Sequence, residues 1–296
     1  MKTLNLFLVA VLVSACAHAQ STGIFRGNDL QETTLSESLS KVTPGSIILV
    51  GENHGLPEHQ RQQLQIMQGL RDLGHVVSVG MEFFTYIDQS HVDAYRAGGL
   101  GEADFLKAIN WGKPSFELYK GQTLFARASE GAKTVALNAP RGLTGKVSKG
   151  GLPALSEQER ALLPPQFSLG RDSYKKRFLE QMPHLPNPEA GERYFAAQSI
   201  WDDTMAWRAT DYILAHPEQV LVVVVGEFHT RFGGGLGDRI RARSPQTPVI
   251  TFSQVNTTDL SETELQSEIT PHQEYGVRAD YLWLEPAKSP APWSGA

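Results

Sequence analysis

Six short runs of consecutive apolar residues recur along the chain, at 46–51 (SIILVG), 76–82 (VVSVGME), 134–138 (TVALN), 220–226 (VLVVVVG), 249–254 (VITFSQ) and 281–284 (YLWL). Their apolar positions are continuous rather than alternating, which is the pattern of strands covered on both faces. Between the first two runs the spacing turns helical. Pro57 suits a first turn, Leu64, Met67 and Leu70 or Leu73 make a stripe, and Gly74 closes it. Strand–helix–strand repetition predicts an α/β fold, a largely parallel sheet with helices on both faces, formed by residues 44–145 and 199–285.

From 146 to 198 the alternation stops. Proline-punctuated helical segments take its place at 156–163, 171–182 and 188–214, with Tyr174 and Phe178, and Gln198 and Asp202, paired at i, i+4. Such an insertion after a strand predicts a small helical lid subdomain over the carboxyl edge of the sheet. No internal repeat of 20 to 50 residues is present.

The ends of the chain have a different character. Met1-Lys2-Thr3 leads into an apolar run at 4–13 broken only by Asn5, the layout of a secretory signal. It is shorter than the roughly 20 residues that span a bilayer. Val13-Ser14-Ala15-Cys16 resembles the bacterial lipobox, so 1–15 is expected to be a signal peptide. Cys16 then carries the lipid and 16–43 forms a polar tether. Ala17 after the cysteine fits sorting to the outer membrane. Ala17-His18-Ala19 offers ordinary signal peptidase a second site, which would release a soluble periplasmic protein. The chain has one cysteine, so no intramolecular disulfide forms and the thiol is free for acylation. Residues 286–296, rich in Pro, Ser and Ala, are expected to form a loose tail.

Composition narrows the classes further. The chain is 41% apolar and 20% charged with a net charge of −5, which becomes −6 once Lys2 is removed with the signal. That balance gives no reason to expect nucleic-acid binding. About 275 mature residues suffice for one large domain, or for one domain plus a lid.

The chemistry gathers where the strands end. The runs lead into Glu52-Asn53-His54-Gly55, into Glu82, into Asn138 and Arg141, and into Glu227-Phe228-His229-Thr230-Arg231. In open parallel sheets, ligands sit beyond the carboxyl ends of the strands. The phrases G-E-N-H and G-E-F-H each place an acid two residues before a histidine, which in extended backbone puts both on one side. Each phrase therefore predicts a matched carboxylate and imidazole, serving a metal site, an acid–base pair or a network that fixes two loops. The glycine-rich stretch 232–237 before a helix is a tight turn, or a cradle of amides for an anion.

Five separated elements, ILVGENHGLPEHQ (48–60), GMEFF (80–84), LNAPR (137–141), YFAAQSIWDDTMA (194–206) and VVVGEFHTRFGGG (223–235), resemble the ChaN family of haem-binding, iron-regulated lipoproteins. That family belongs to a broader erythromycin-esterase-like and TIKI-like group. The resemblance implies an α/β domain with a helical lid, and a homodimer enclosing two stacked haems. Each haem iron takes one lid tyrosine, with basic residues on the propionates. Tyr174 and Tyr194 are the candidates for the iron. Lys175, Lys176 and His184 lie beside Tyr174 in sequence. The implied role is a non-enzymatic haem-binding lipoprotein that assists haem or iron uptake, alongside an outer-membrane haem receptor. The alternative is a metal-assisted hydrolase using Glu52, His54, Glu82, Glu227, His229 and Arg231.

Overall fold

The computed structural model describes residues 22–286; the expected signal peptide, Cys16 and the tail from 287 lie outside them. Eight strands form one sheet: β1 (Gly23–Arg26), β2 (Glu32–Thr33), β3 (Ile47–Glu52), β4 (Val76–Thr85), β5 (Thr134–Asn138), β6 (Gln219–Gly226), β7 (Val249–Asn256) and β8 (Tyr281–Glu285). Their spatial order is β2-β1-β8-β7-β3-β6-β4-β5. Strands β3 to β8 run parallel to their neighbours in that group, and β1 and β2 add an antiparallel edge. The predicted α/β fold with a largely parallel sheet is therefore the one observed.

The continuous apolar runs are explained by cover on both faces. Every residue of β3 and β6 is buried, and successive side chains point to opposite sides. Ile48, Val50, Val222 and Val224 meet Ile66, Met67 and Leu70 of helix Pro57–Asp72 and Tyr119 of helix Glu117–Phe125. On the other face Ile47, Leu49, Val223 and Val225 meet Met205, Ala206, Ala209 and Ile213 of helix Pro188–Ala215, and Leu236 and Ile240 of helix Leu236–Arg243. Each of the Val, Leu, Ile and Met side chains among these contributes about 1.5–3 kcal/mol through burial, so the sheet is held firmly from both sides.

Three details depart from the sequence expectations. In helix Pro57–Asp72 the buried side carries Gln60, Gln62 and Gln63 ahead of Ile66, Met67 and Leu70, whereas Leu64 is half-buried and Leu73 is exposed. Its first turns face a polar site rather than a core. Residues 23–43, expected within a tether, are folded: β1 pairs with β8 along its length, helix Leu35–Leu39 carries a capping box from Thr34 to Glu37, and Leu39 is buried. The long helix Pro188–Ala215 passes without a break through 198/199, where lid and core were expected to divide. Its N-terminal half packs against helix Asp172–Glu180 and its C-terminal half against the sheet. No helix among the described residues is long and apolar enough to cross a membrane.

Candidate functional site

Strands β3, β6 and β4 are neighbours, so Glu52, Glu227 and Glu82 leave the sheet side by side. Glu52 is buried and fully engaged. Its Oε1 accepts from the Tyr119 hydroxyl at 2.6 Å and lies 2.8 Å from His54 Nδ1. Its Oε2 accepts from the Gln60 and Gln63 amides at 2.6 and 2.5 Å. Burial and the Glu52 charge push the Tyr119 hydroxyl well up, so it remains a donor. The turn after β3 is fixed by His59, whose Nδ1 accepts from the Asn53 amide at 3.0 Å; burial lowers that imidazole and keeps it neutral.

His54 reaches over β6 toward Glu82, with Nε2 at 4.0 Å from Oε2. The reach requires Gly226, where an added Cβ would stand 3.0 Å from the His54 ring and 3.4 Å from Glu82 Oε2. The Gly226 amide donates to the same Glu82 oxygen. Glu82 Oε1 lies 3.3 Å from His229 Nε2. His229 Nδ1 lies 2.5 Å from Asp202 Oδ1 and 3.1 Å from the Gln198 amide. Asp202 Oδ2 accepts from the Tyr174 hydroxyl at 2.7 Å, with Arg239 3.8 Å away. The result is a linear chain of alternating acids and imidazoles, Glu52–His54–Glu82–His229–Asp202, with a tyrosine hydroxyl closing each end.

The charges support one another. Burial alone would raise Glu82, but the charged His229 ring, the neighbouring His54 ring and the Gly226 amide outweigh it and bring the carboxyl down to about 2. Burial alone would lower His229, but the Glu82 and Asp202 charges on either side raise it to about 10. His54 is pulled down by burial and raised further by Glu52 and Glu82, so it ends above its usual value. Its side chain is 42% exposed, which makes it the accessible imidazole of the chain.

The second acid–histidine phrase behaves differently from the first. Residues Glu227–His229 form a 3-10 turn rather than extended backbone, so the two side chains diverge. Glu227 turns toward β7 and β8, where it accepts from Ser253 and from Arg278 at 2.6–2.7 Å. Arg231 follows it, 3.9 Å from Glu227 and 3.9 Å from Glu268. The proposed hydrolytic set therefore splits: Glu52, His54, Glu82 and His229 converge, while Glu227 and Arg231 belong to a separate buried ion-pair network. Among the described residues no group of three His, Cys, Asp or Glu is arranged to hold a metal ion.

The lid candidates do not converge either. Tyr174 is 1% exposed and spends its hydroxyl on Asp202 and Gln198. Lys175 pairs with Glu192 and Lys176 with Glu274, both at 2.5 Å, and His184 is exposed. Tyr194 is half-buried against the Tyr174–Phe178–Phe195 cluster, and no hydrogen bond to its hydroxyl is found among the described residues. Asp202, Gln198, Tyr119, Gln60 and Gln63 were not foreseen as site residues. The i, i+4 pairing of Gln198 with Asp202 was the one visible signal, and it lacked a partner until the fold brought β6 beside it. The glycine-rich stretch is a turn: the Gly233 and Gly235 φ values are 70° and 77°, and helix Leu236–Arg243 starts on it.

A cleft of about 500 Å³ opens above the chain, lined by His54, Glu82, Phe83, Lys113, Arg141 and Trp201 among others. Its Phe83, Pro114, Ala197 and Trp201 walls suit a flat apolar ring, and Lys113 and Arg141 suit its carboxylates.

An open α/β sheet with a buried acid–imidazole chain at its strand ends and helices above it defines the class. A family model described as "Haem-binding uptake, Tiki superfamily, ChaN" matches residues 38–240. The chain belongs to that haem-binding family. Among solved structures it is similar to ChaN of Campylobacter jejuni, described with cofacial haem binding, at a TM-score of 0.63 and 16% identity over 90% of this chain and 97% of that one. An erythromycin esterase mutant in its open conformation aligns at a TM-score of 0.48 and 11% identity, over 86% of this chain and 94% of that one. No curated protein matches in sequence.

The shifted groups predict a pH dependence. His229 is raised, so its stabilisation is complete below about pH 6.5 and is lost as pH rises through about 10. Glu82 is lowered, so its share is present above about pH 4.5 and is lost as pH falls through about 2. The melting temperature should fall between pH 7 and 10, at about 2–4 °C per kcal/mol. The fall should flatten in His229→Gln; equal slopes in the two proteins would contradict the assignment.

Proposed function

We propose that the protein is a haem-binding component of haem or iron uptake, without enzymatic activity. The family match over residues 38–240 is the observation that carries this reading. In the reading, haem rests in the cleft beside Phe83 and Trp201, and Lys113 and Arg141 hold its carboxylates. Tyr194 supplies the axial oxygen, since its hydroxyl is unspent and it precedes the cleft residue Ala197 by one helical turn. When bound, haem supplies a ferric iron that a phenolate oxygen favours. Tyr174 is a structural tyrosine that positions Asp202.

The reading further includes a homodimer that brings two haems face to face. It places the mature domain outside the cytoplasm, held by lipid on Cys16 at the outer membrane, where an outer-membrane haem receptor hands over cargo. Cleavage after Ala19 would instead leave a soluble periplasmic protein. Titrating ferric haem into the purified mature domain should give a high-spin spectrum of the tyrosinate type. Tyr194→Phe should abolish that spectrum, while Tyr174→Phe should keep it and lose about 1–3 kcal/mol of stability with the buried Asp202 contact. A spectrum insensitive to Tyr194→Phe would overturn the ligation.

One observation favours a second reading: haem binding gives no use to the five-member acid–imidazole chain. His54 is exposed to the cleft and oriented through Nδ1 by a buried carboxylate, the arrangement of a general base that needs no metal. Activated aryl esters should then turn over in the presence of chelator, with a loss of about 10²–10⁴-fold in His54→Gln and intact haem binding. Turnover equal in wild type and variant would dismiss this reading.

A further inference from the structure

A second cleft, of about 640 Å³, lies between helix Pro188–Ala215 and helix Leu236–Arg243, with Tyr174 in its wall. Its lining has three arginines and three aspartates. Arg243 holds Asp203 at 2.8 Å and Arg171 holds Asp238 at 3.1 Å, so this cleft is charge-balanced. The cleft above His54 is not. Glu82 is the one acid among its lining residues, and that carboxylate is already met by the Gly226 amide and His229. Arg141 lines the same cleft and is exposed. Its Nη1 donates to the Asn110 carbonyl at 3.2 Å, and no carboxylate pairs with it among the described residues. Lys113 adds a further positive charge to the lining.

A positive cleft on a chain of net charge −5 favours an anionic ligand, and its low-dielectric walls focus the field. Those walls include the half-buried rings of Phe83 and Trp201. The basic atom that faces the cleft is His54 Nε2. Its Nδ1 is held by Glu52 at 2.8 Å and the side chain is 42% exposed. Nε2 makes no hydrogen bond among the described residues, with Glu82 Oε2 4.0 Å off. Both His54 and Arg141 are thus open to a ligand without rearrangement. A guanidinium fork matches a carboxylate through two parallel hydrogen bonds, and an aromatic ring suits the walls between.

We infer that the ester hydrolysed in this cleft is an anionic aryl ester, selected through its carboxylate by Arg141. The inference rests on the hydrolytic reading above and names its substrate class. In the reaction His54 Nε2 takes a proton from water, and the water oxygen bonds to the ester carbonyl carbon. The bond from that carbon to the phenolic oxygen then breaks, and the proton passes from His54 to the departing phenolate. Arg141 takes no part in these bond changes; it holds the far end of the substrate and sets specificity.

The test compares 4-acetoxybenzoate with its uncharged counterpart, methyl 4-acetoxybenzoate, on the purified mature domain with chelator present. Each kcat/KM is divided by the rate of the same ester in buffer alone. So corrected, kcat/KM should favour the carboxylate by about tenfold or more, the worth of a charged hydrogen bond. Arg141→Gln should remove most of that preference, chiefly by raising KM for the carboxylate. Arg141→Lys, which keeps the charge, should retain more of it than Arg141→Gln. The Arg141 side chain is exposed and bonds one loop carbonyl, so both variants fold. Equal corrected rates for the two esters, or a preference that Arg141→Gln leaves intact, would overturn this inference and leave the hydrolytic reading standing. Turnover of neither ester above buffer would remove the hydrolytic reading and the inference with it.

Discussion

Glu82 sits in the carboxyl-terminal part of β4 with its side chain 13% exposed, where an isolated carboxylate would shed its charge by taking up a proton. Two imidazoles, one from each flanking loop, keep it ionised; Asp202 on one side holds the His229 ring protonated, and Glu52 on the other orients the His54 ring and raises it above its usual value. Such a chain works only as a whole. Removing one member leaves a neighbour as a buried, uncompensated charge, which costs more than the pair contributes.

Much of the surrounding structure serves that constraint. Gly226 lets His54 cross β6, and the glutamines of helix Pro57–Asp72 anchor Glu52 at the price of an apolar stripe in its first turns. On the other side Asp202 and Gln198 come from the long helix, and Tyr174 from helix Asp172–Glu180. The helical segment above the sheet is thereby fastened to it through the chain itself. Tyr174 has its ring on one cleft and its hydroxyl on a chain that opens on the other through His54.

The sheet was legible because strands covered on both faces leave uninterrupted apolar runs, and the observed strands fall on all six. β1 was not: its four residues GIFR are too short and mixed to stand out from a polar lead-in, and only their pairing with β8 makes a strand of them. The first acid–histidine phrase was legible, since Glu52 and His54 are bonded at 2.8 Å. The second misled, because a 3-10 turn separates what extended backbone would align, sending Glu227 to Arg278. Tyr174 looked like a haem ligand among its basic neighbours, yet its contacts depend on Asp202, 28 positions away. Burial of a tyrosine hydroxyl on a distant carboxylate leaves no mark in local sequence.

The central claim is that His229 is an imidazolium held by two carboxylates. Nitrogen-15 NMR of histidine-labelled protein, with the His229 signals assigned by their loss in His229→Gln, tests it most directly. Both ring nitrogens of His229 should remain protonated at pH 8 and titrate near 10. A neutral His229 at pH 8, titrating near the ordinary value of about 6.5, would contradict the account.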